Sequence, residues 1–240
     1  MSEGKNRLPT GSKSTDVAAG VDRFLHDLRR APPARASGSR GRLIFALDAT
    51  ASREPTWDRA CRIQGEMFEA TAALGGLDVK LVYYRGFNEC KASRWMSNAA
   101  ELHRVMRQVS CIGGETQIER VLAHALAETK KQRVNALVFV GDAMEENVDR
   151  LCRLAGELGI NGVPIFLFHE GGDPIAAKAF QQIAKLSRGA YVRFDLASAG
   201  RLRELLAAVA VYAAGGYRAL TAYGEKRGGD VLRLTAQLRE

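Results

Sequence analysis

Short unbroken apolar runs alternate along this chain with longer stretches whose apolar residues recur every three or four positions. The runs at 42–48 (RLIFALD), 77–86, 134–142 (VNALVFVGD), 163–169 (VPIFLFH) and 190–195 (AYVRFD) predict strands, most of them buried on both faces. NECKASRWM, 88–96, reads as a hairpin partner of the strand before it. Between the strands, helical spacing predicts helices over 56–74, 99–109, 116–131, from Val148 to Leu158, over 175–186 and over 200–214. Pro55 stands where a first helical turn tolerates it, and Gly75 and Gly76 end that helix. Ile118, Val121, Leu122, Ala125 and Leu126 share one face of the 116–131 helix, and Leu151, Cys152, Ala155 and Leu158 line the next. This alternation predicts an α/β domain: a doubly wound, mostly parallel six-stranded sheet with one antiparallel edge strand and helices on both faces.

The ends read differently. Residues 1–15 are polar and rich in Gly, Ser and Lys, the composition of a disordered segment. Residues 16–30 form an amphipathic helical pattern, with Asp16 as a cap, Val17, Val21, Phe24, Leu25 and Leu28 on one face, and Arg29 and Arg30 at its C-terminal end. Residues 31–41 are a Pro/Ser/Gly linker, 42–214 the α/β domain, and 215–240 a helical tail with an apolar stripe at Val231, Leu234 and Leu238.

Composition narrows the class. The 240 residues suffice for one sizeable core, with 46% hydrophobic and 26% charged residues. No apolar run reaches the roughly 18 residues of a membrane span, and the start of the chain shows no secretory pattern. The net charge of +8 resides largely outside the domain: residues 1–41 carry 8 Lys/Arg against 4 Asp/Glu, 42–214 carry 22 against 20, and 215–240 carry 5 against 3. With no aromatic-interleaved basic stripe, nucleic acid is not an expected partner. Cys61, Cys90, Cys111 and Cys152 form no CxxC pair; they read as buried thiols in a reducing, cytoplasmic setting rather than as a disulfide framework or a zinc site.

The chemistry collects at strand ends. Asp48, Thr50 and Ser52 follow the first core strand at alternate positions, Asp142 ends another apolar strand, and Thr116 follows the loop CIGGE at 111–115. In open sheets of this kind ligands gather beyond the carboxyl ends of the strands. Two carboxylates and three hydroxyls suit a hard divalent cation: Mg²⁺ first, with Mn²⁺ or Ca²⁺ as alternatives. Without His or Cys in the set, zinc and copper are not expected. Gly113 and Gly114 let the Thr116 loop come close. A plainer reading makes Asp48, Thr50 and Ser52 a cap and turn into the following helix; three convergent segments weigh against it. A strand-terminal Asp also serves as nucleophile in haloacid-dehalogenase-type phosphatases, but that chemistry wants a second acid two residues on, where this chain has Thr50.

D-x-T-x-S after the first strand, GGET before a helix and VFVGD at a later strand end resemble a von Willebrand factor type A (vWA) domain of the bacterial intracellular type, over about residues 42–214. The resemblance implies a Rossmann-like fold and a metal-ion-dependent adhesion site (MIDAS) made by Asp48, Thr50, Ser52, Thr116 and Asp142. Thr50 stands where that family usually has Ser, and Glu115 where it often has a small residue. The resemblance further implies a non-enzymatic protein-binding domain, an adaptor or assembly factor. Its metal takes an Asp or Glu from a partner protein, an ATPase being one candidate class, with no membrane involved. The alternatives are a metal-dependent phosphatase or hydrolase on a similar sheet, and a scaffold whose site has lost its ion.

Overall fold

A computed structural model describes residues 40–194 and 199–227. The expectations for residues 1–39 and 228–240 lie outside the described residues. Gly41, placed in the linker from sequence, instead opens the first strand.

Six strands form one sheet: β1 (Gly41–Asp48), β2 (Leu77–Arg85), β3 (Glu89–Met96), β4 (Ala136–Gly141), β5 (Ile165–Glu170) and β6 (Ala190–Phe194), in spatial order β3-β2-β1-β4-β5-β6. All neighbours pair in parallel except β3, which runs antiparallel on the edge beside β2. Among the described residues there are seven helices: α1 (Glu54–Ile63), α2 (Gly65–Thr71), α3 (Ala99–Met106), α4 (Ile118–Lys131), α5 (Val148–Ile160), α6 (Pro174–Ser187) and α7 (Ala199–Arg227).

The pleat divides the core. Leu43, Phe45 and Leu47 of β1 point to one face, where they join Trp57, Met67, Leu102, Met106 and the apolar side of α7. Ile44 and Ala46 point to the other and join Val121 and Leu122 of α4, Leu151 and Leu158 of α5, and Phe180 and Ile183 of α6. A strand buried on both sides has no polar face, which is why β1 and β4 are nearly continuous apolar runs. The sheet is thus doubly wound and Rossmann-like. Its order reverses at the β1–β4 pair, and both strands end on the same rim.

Several boundaries differ from the sequence reading. The helix expected over 56–74 is two, α1 and α2, meeting at Gln64 and flanked by 3₁₀ turns at Ala51–Arg53 and Ala72–Leu74. The helix expected to reach Val109 ends at Met106. Thr116 precedes its helix by two residues rather than opening it. The last helix does not stop at Ala214: a helical run continues to Arg227 across one non-helical residue, Gly216, whose φ of 71° a side chain would resist. Only Cys61 is fully buried among the thiols; Cys90, Cys111 and Cys152 are partly exposed, and all four are free. No helix among the described residues is long and apolar enough to cross a membrane.

Candidate metal centre

Asp48 is the last residue of β1 and is 3% exposed. Its two oxygens are held separately: the Thr50 amide donates to Oδ1 (2.7 Å) and the Tyr84 hydroxyl donates to Oδ2 (3.0 Å). Burial pushes the Asp48 carboxyl above its ordinary value, against the pull of the Thr50 and Tyr84 hydrogen bonds. Burial, with the Asp48 charge second, raises the Tyr84 phenol well above its usual range, so Tyr84 keeps its proton and remains a donor.

From Asp48 the chain turns through extended Thr50 into the 3₁₀ turn Ala51–Arg53. The Thr50 and Ser52 hydroxyl oxygens lie 3.4 Å apart. The Ser52 hydroxyl then donates to Asp142 Oδ2 (3.1 Å), so the β1 and β4 segments meet directly. Asp142 follows the last residue of β4. Its backbone is fixed by His169, which is fully buried: the Asp142 carbonyl can only accept, so Nε2 carries the proton (3.2 Å), and in the neutral ring Nδ1 accepts from the Tyr191 hydroxyl (2.9 Å). Burial lowers the His169 pKa and keeps that neutral form.

Thr116 arrives from a third segment. The 110–117 loop is stitched to the rim: the Ile112 amide donates to the Ala49 carbonyl (3.0 Å), the Glu115 amide to the Gly86 carbonyl (3.2 Å), and the Gln117 side chain to the same carbonyl (3.1 Å). A Cβ on Gly114 would lie 2.1 Å from the Gly86 oxygen, so only glycine permits this approach; Gly113 faces open space. Thr116 and Glu145 exchange two hydrogen bonds, amide to Oε2 and amide to Oγ1, each 3.1 Å. Glu146 accepts from the Ile118 amide (2.5 Å) and the Glu119 amide (2.8 Å), capping the first turn of α4 from the β4–α5 loop.

Of the five residues expected from sequence, Asp48, Thr50, Ser52 and Asp142 are thus joined in a chain of contacts. Thr116 is tied to the Asp142 loop through Glu145. Sequence reasoning missed Tyr84, Arg53, His169 and Glu170. Tyr84 shares a buried face of β2 with Val82, but nothing local announces its long-range partner.

The donor set fits a hard divalent ion. Every donor of the set is oxygen, one of its two carboxylates, Asp48, is buried, and Glu145 and Glu146 add negative charge beside Thr116. No group of three or more His, Cys, Asp or Glu side chains placed to hold a metal occurs among the described residues; this set draws three of its five members from hydroxyls.

No family model matches the sequence, and no curated protein matches it either. Solved structures do. The SpRpn10 VWA domain superposes with a TM-score of 0.53 at 16% identity, covering 65% of this chain and 89% of that one. Proximal thread matrix protein 1 from the mussel byssus, with a zinc-occupied MIDAS motif, gives 0.59 at 14% identity, over 71% of this chain and 46% of that one. The pilus adhesin SpaC from Lactobacillus rhamnosus GG, in its open conformation, gives 0.57 at 11% identity, over 80% of this chain and 31% of that one. The chain therefore spans nearly all of the first but less than half of each of the others. At these identities the likeness establishes the architecture, a vWA-type fold.

Proposed function

We propose that this chain is a non-enzymatic, cytoplasmic protein-binding domain. It holds a divalent cation, Mg²⁺ by preference, on Asp48, Thr50, Ser52, Thr116 and Asp142, and offers that ion to a carboxylate of a partner protein. The observation that carries the reading is the unbroken sequence of contacts from Tyr84 through Asp48, Thr50 and Ser52 to Asp142 at the point where strand order reverses. Neutral hydroxyls hold an ion without cancelling its charge, which leaves it able to attract an incoming Asp or Glu.

The surrounding rim suits a protein rather than a small anion. Phe87 is 69% exposed and Ile112 46% exposed. Ile112 bonds to Ala49, the residue between Asp48 and Thr50, and Phe87 follows Gly86, whose backbone is bonded to the same 110–117 loop. An acidic residue flanked by an apolar one in the partner would use both features. An adaptor or assembly role, with an ATPase as one partner class, belongs to the same proposal through the family resemblance.

Mn²⁺ or Mg²⁺ titration by calorimetry tests the reading. The native protein takes up one ion and Asp48→Ala takes up little; equal uptake by the two removes Asp48 from the site. A phosphate-ester turnover assay separates the hydrolase alternative, for which this reading expects no activity above background.

A further inference from the structure

Arg53 lies beside the proposed metal site. It closes the 3₁₀ turn after Ser52, and its side chain is only 3% exposed. One nitrogen, Nη1, pairs with Glu170 Oε2 and lies 3.9 Å from Asp142 Oδ2, within ion-pairing range but beyond a hydrogen bond; that oxygen accepts from Ser52. Glu170, the last residue of β5, is 8% exposed and also accepts from the Thr56 hydroxyl. The other two guanidinium nitrogens, Nε and Nη2, are buried with no hydrogen-bond partner.

A buried guanidinium with two idle donor nitrogens is an unfinished arrangement. Guanidinium and carboxylate match as forks, two donors to two oxygens. Here one prong holds Glu170 with Asp142 close by, while the rest of the fork is idle. A divalent ion coordinated by Asp142 would repel Arg53 and claim the oxygen it reaches for. Arg53 has somewhere to go, since Glu170 is already in contact and the idle donors can complete a two-pronged grip.

Resting on the metal reading above, we propose that Arg53 is an internal competitor for the divalent ion. Its charge faces Asp142 across 3.9 Å when no ion is bound, and it withdraws fully onto Glu170 when one binds. Arg53 is then a positioning residue that sets the ion affinity below what the five oxygens alone would give. Glu170 is the acceptor that makes the handover feasible. Ion binding is thereby coupled to the contact between the turn after β1 and the end of β5.

Mn²⁺ titration by calorimetry on the full chain tests this with two variants whose expected effects have opposite signs. The paired variant Arg53→Met/Glu170→Gln removes both members of the buried pair, so neither charge is left alone; it is expected to bind Mn²⁺ about tenfold more tightly than the native chain. Glu170→Gln alone frees Arg53 to settle on Asp142 and is expected to bind about tenfold more weakly. Thermal unfolding of each variant establishes that it is folded. A merely structural role for Arg53 would not tighten the site when Arg53 is removed. If the native chain binds Mn²⁺ and the paired variant binds no tighter, or Glu170→Gln binds no weaker, the Arg53 proposal is overturned and the metal reading stands. If neither the native chain nor either variant takes up Mn²⁺, both fall together. Should the paired variant fail to fold, Glu170→Gln decides alone.

Discussion

Replacing Tyr84 by Phe removes one oxygen atom from the interior and little else. The ring is fully buried and stacks on Phe139 at a centroid distance of 6.3 Å and an interplanar angle of 18°, and Phe preserves both. What goes is the hydroxyl that donates to Asp48 Oδ2 at 3.0 Å. A hydrogen bond to a charged acceptor contributes about 1.5–3 kcal/mol. Its loss leaves that oxygen of a 3% exposed carboxylate without its donor, with Thr50 still serving the other. For a chain of this size a loss of that order lowers the melting temperature by roughly 2–4 °C per kcal/mol. Urea unfolding in chelator, where no divalent ion can compensate, reads the effect directly. Tyr83→Phe is the control: Tyr83 packs its ring edge against Trp57, at 5.9 Å and 77°, and its substitution is expected to stay within about 0.5 kcal/mol. A Tyr84→Phe loss below about 0.5 kcal/mol, or one matched by Tyr83→Phe, would refute the claim that Tyr84 orders Asp48.

Glu128, buried at 5% exposure, accepts from Lys80 (2.8 Å), Lys131 (2.9 Å) and the Trp95 indole (3.0 Å). Burial pushes its carboxyl up, but those donors together outweigh burial and hold its pKa at about 2 instead of 4.5. A carboxyl depressed on folding adds stability that is fully present above the unfolded value and is lost as pH falls from 4.5 towards about 2. Glu128→Gln is expected to flatten that part of the stability–pH curve and to cost about 3–5 kcal/mol at neutral pH by leaving the Lys80 charge buried without its counter-charge; unfolding curves across the acid range check both. Gly114→Ala places a Cβ 2.1 Å from the Gly86 oxygen, so the loop carrying Thr116 must move; calorimetry should show ion affinity falling by about tenfold or more while the fold is retained. Ser at both Phe87 and Ile112, which are 69% and 46% exposed, should leave stability within about 0.5 kcal/mol and ion binding unchanged, yet weaken capture of an acidic partner peptide in a binding titration.

The sheet was legible because its strands are buried on both faces. Apolar runs such as LIFAL at 43–47 and ALVFV at 136–140 have no other economical use, and their ends place Asp48 and Asp142 on one rim. The oxygen-rich D-x-T-x-S spacing marked the first segment of the candidate site for the same reason: polar side chains at alternate positions stand out after a core strand. Less legible was whatever depends on a distant partner. Arg53 lies in a polar stretch, ASREPT, where an arginine looks like solvated surface; only the placement of Glu170 at the end of β5 shows it to be buried. Thr116 looked like the start of α4, yet its amide bonds to Glu145 and the first turn is capped by Glu146, both from another loop. The continuous helix expected over 56–74 failed because helical spacing persists through Gln64 and Gly65 even though the backbone hydrogen bonds are redistributed there. The thiols were expected inside on residue type alone, while Cys90 on the edge strand β3, Cys111 in the loop before α4 and Cys152 within α5 are partly exposed.

The central claim is that a divalent ion sits among Asp48, Thr50, Ser52, Thr116 and Asp142. Crystals of the native protein soaked in Mn²⁺, with data collected near the manganese edge, address it most directly. The account predicts one anomalous peak between the turn after β1 and the turn after β4, with oxygen ligands at about 2.0–2.4 Å or one water beyond, and no such peak in Asp48→Ala. A peak elsewhere on the rim, or none between those two turns, would contradict it.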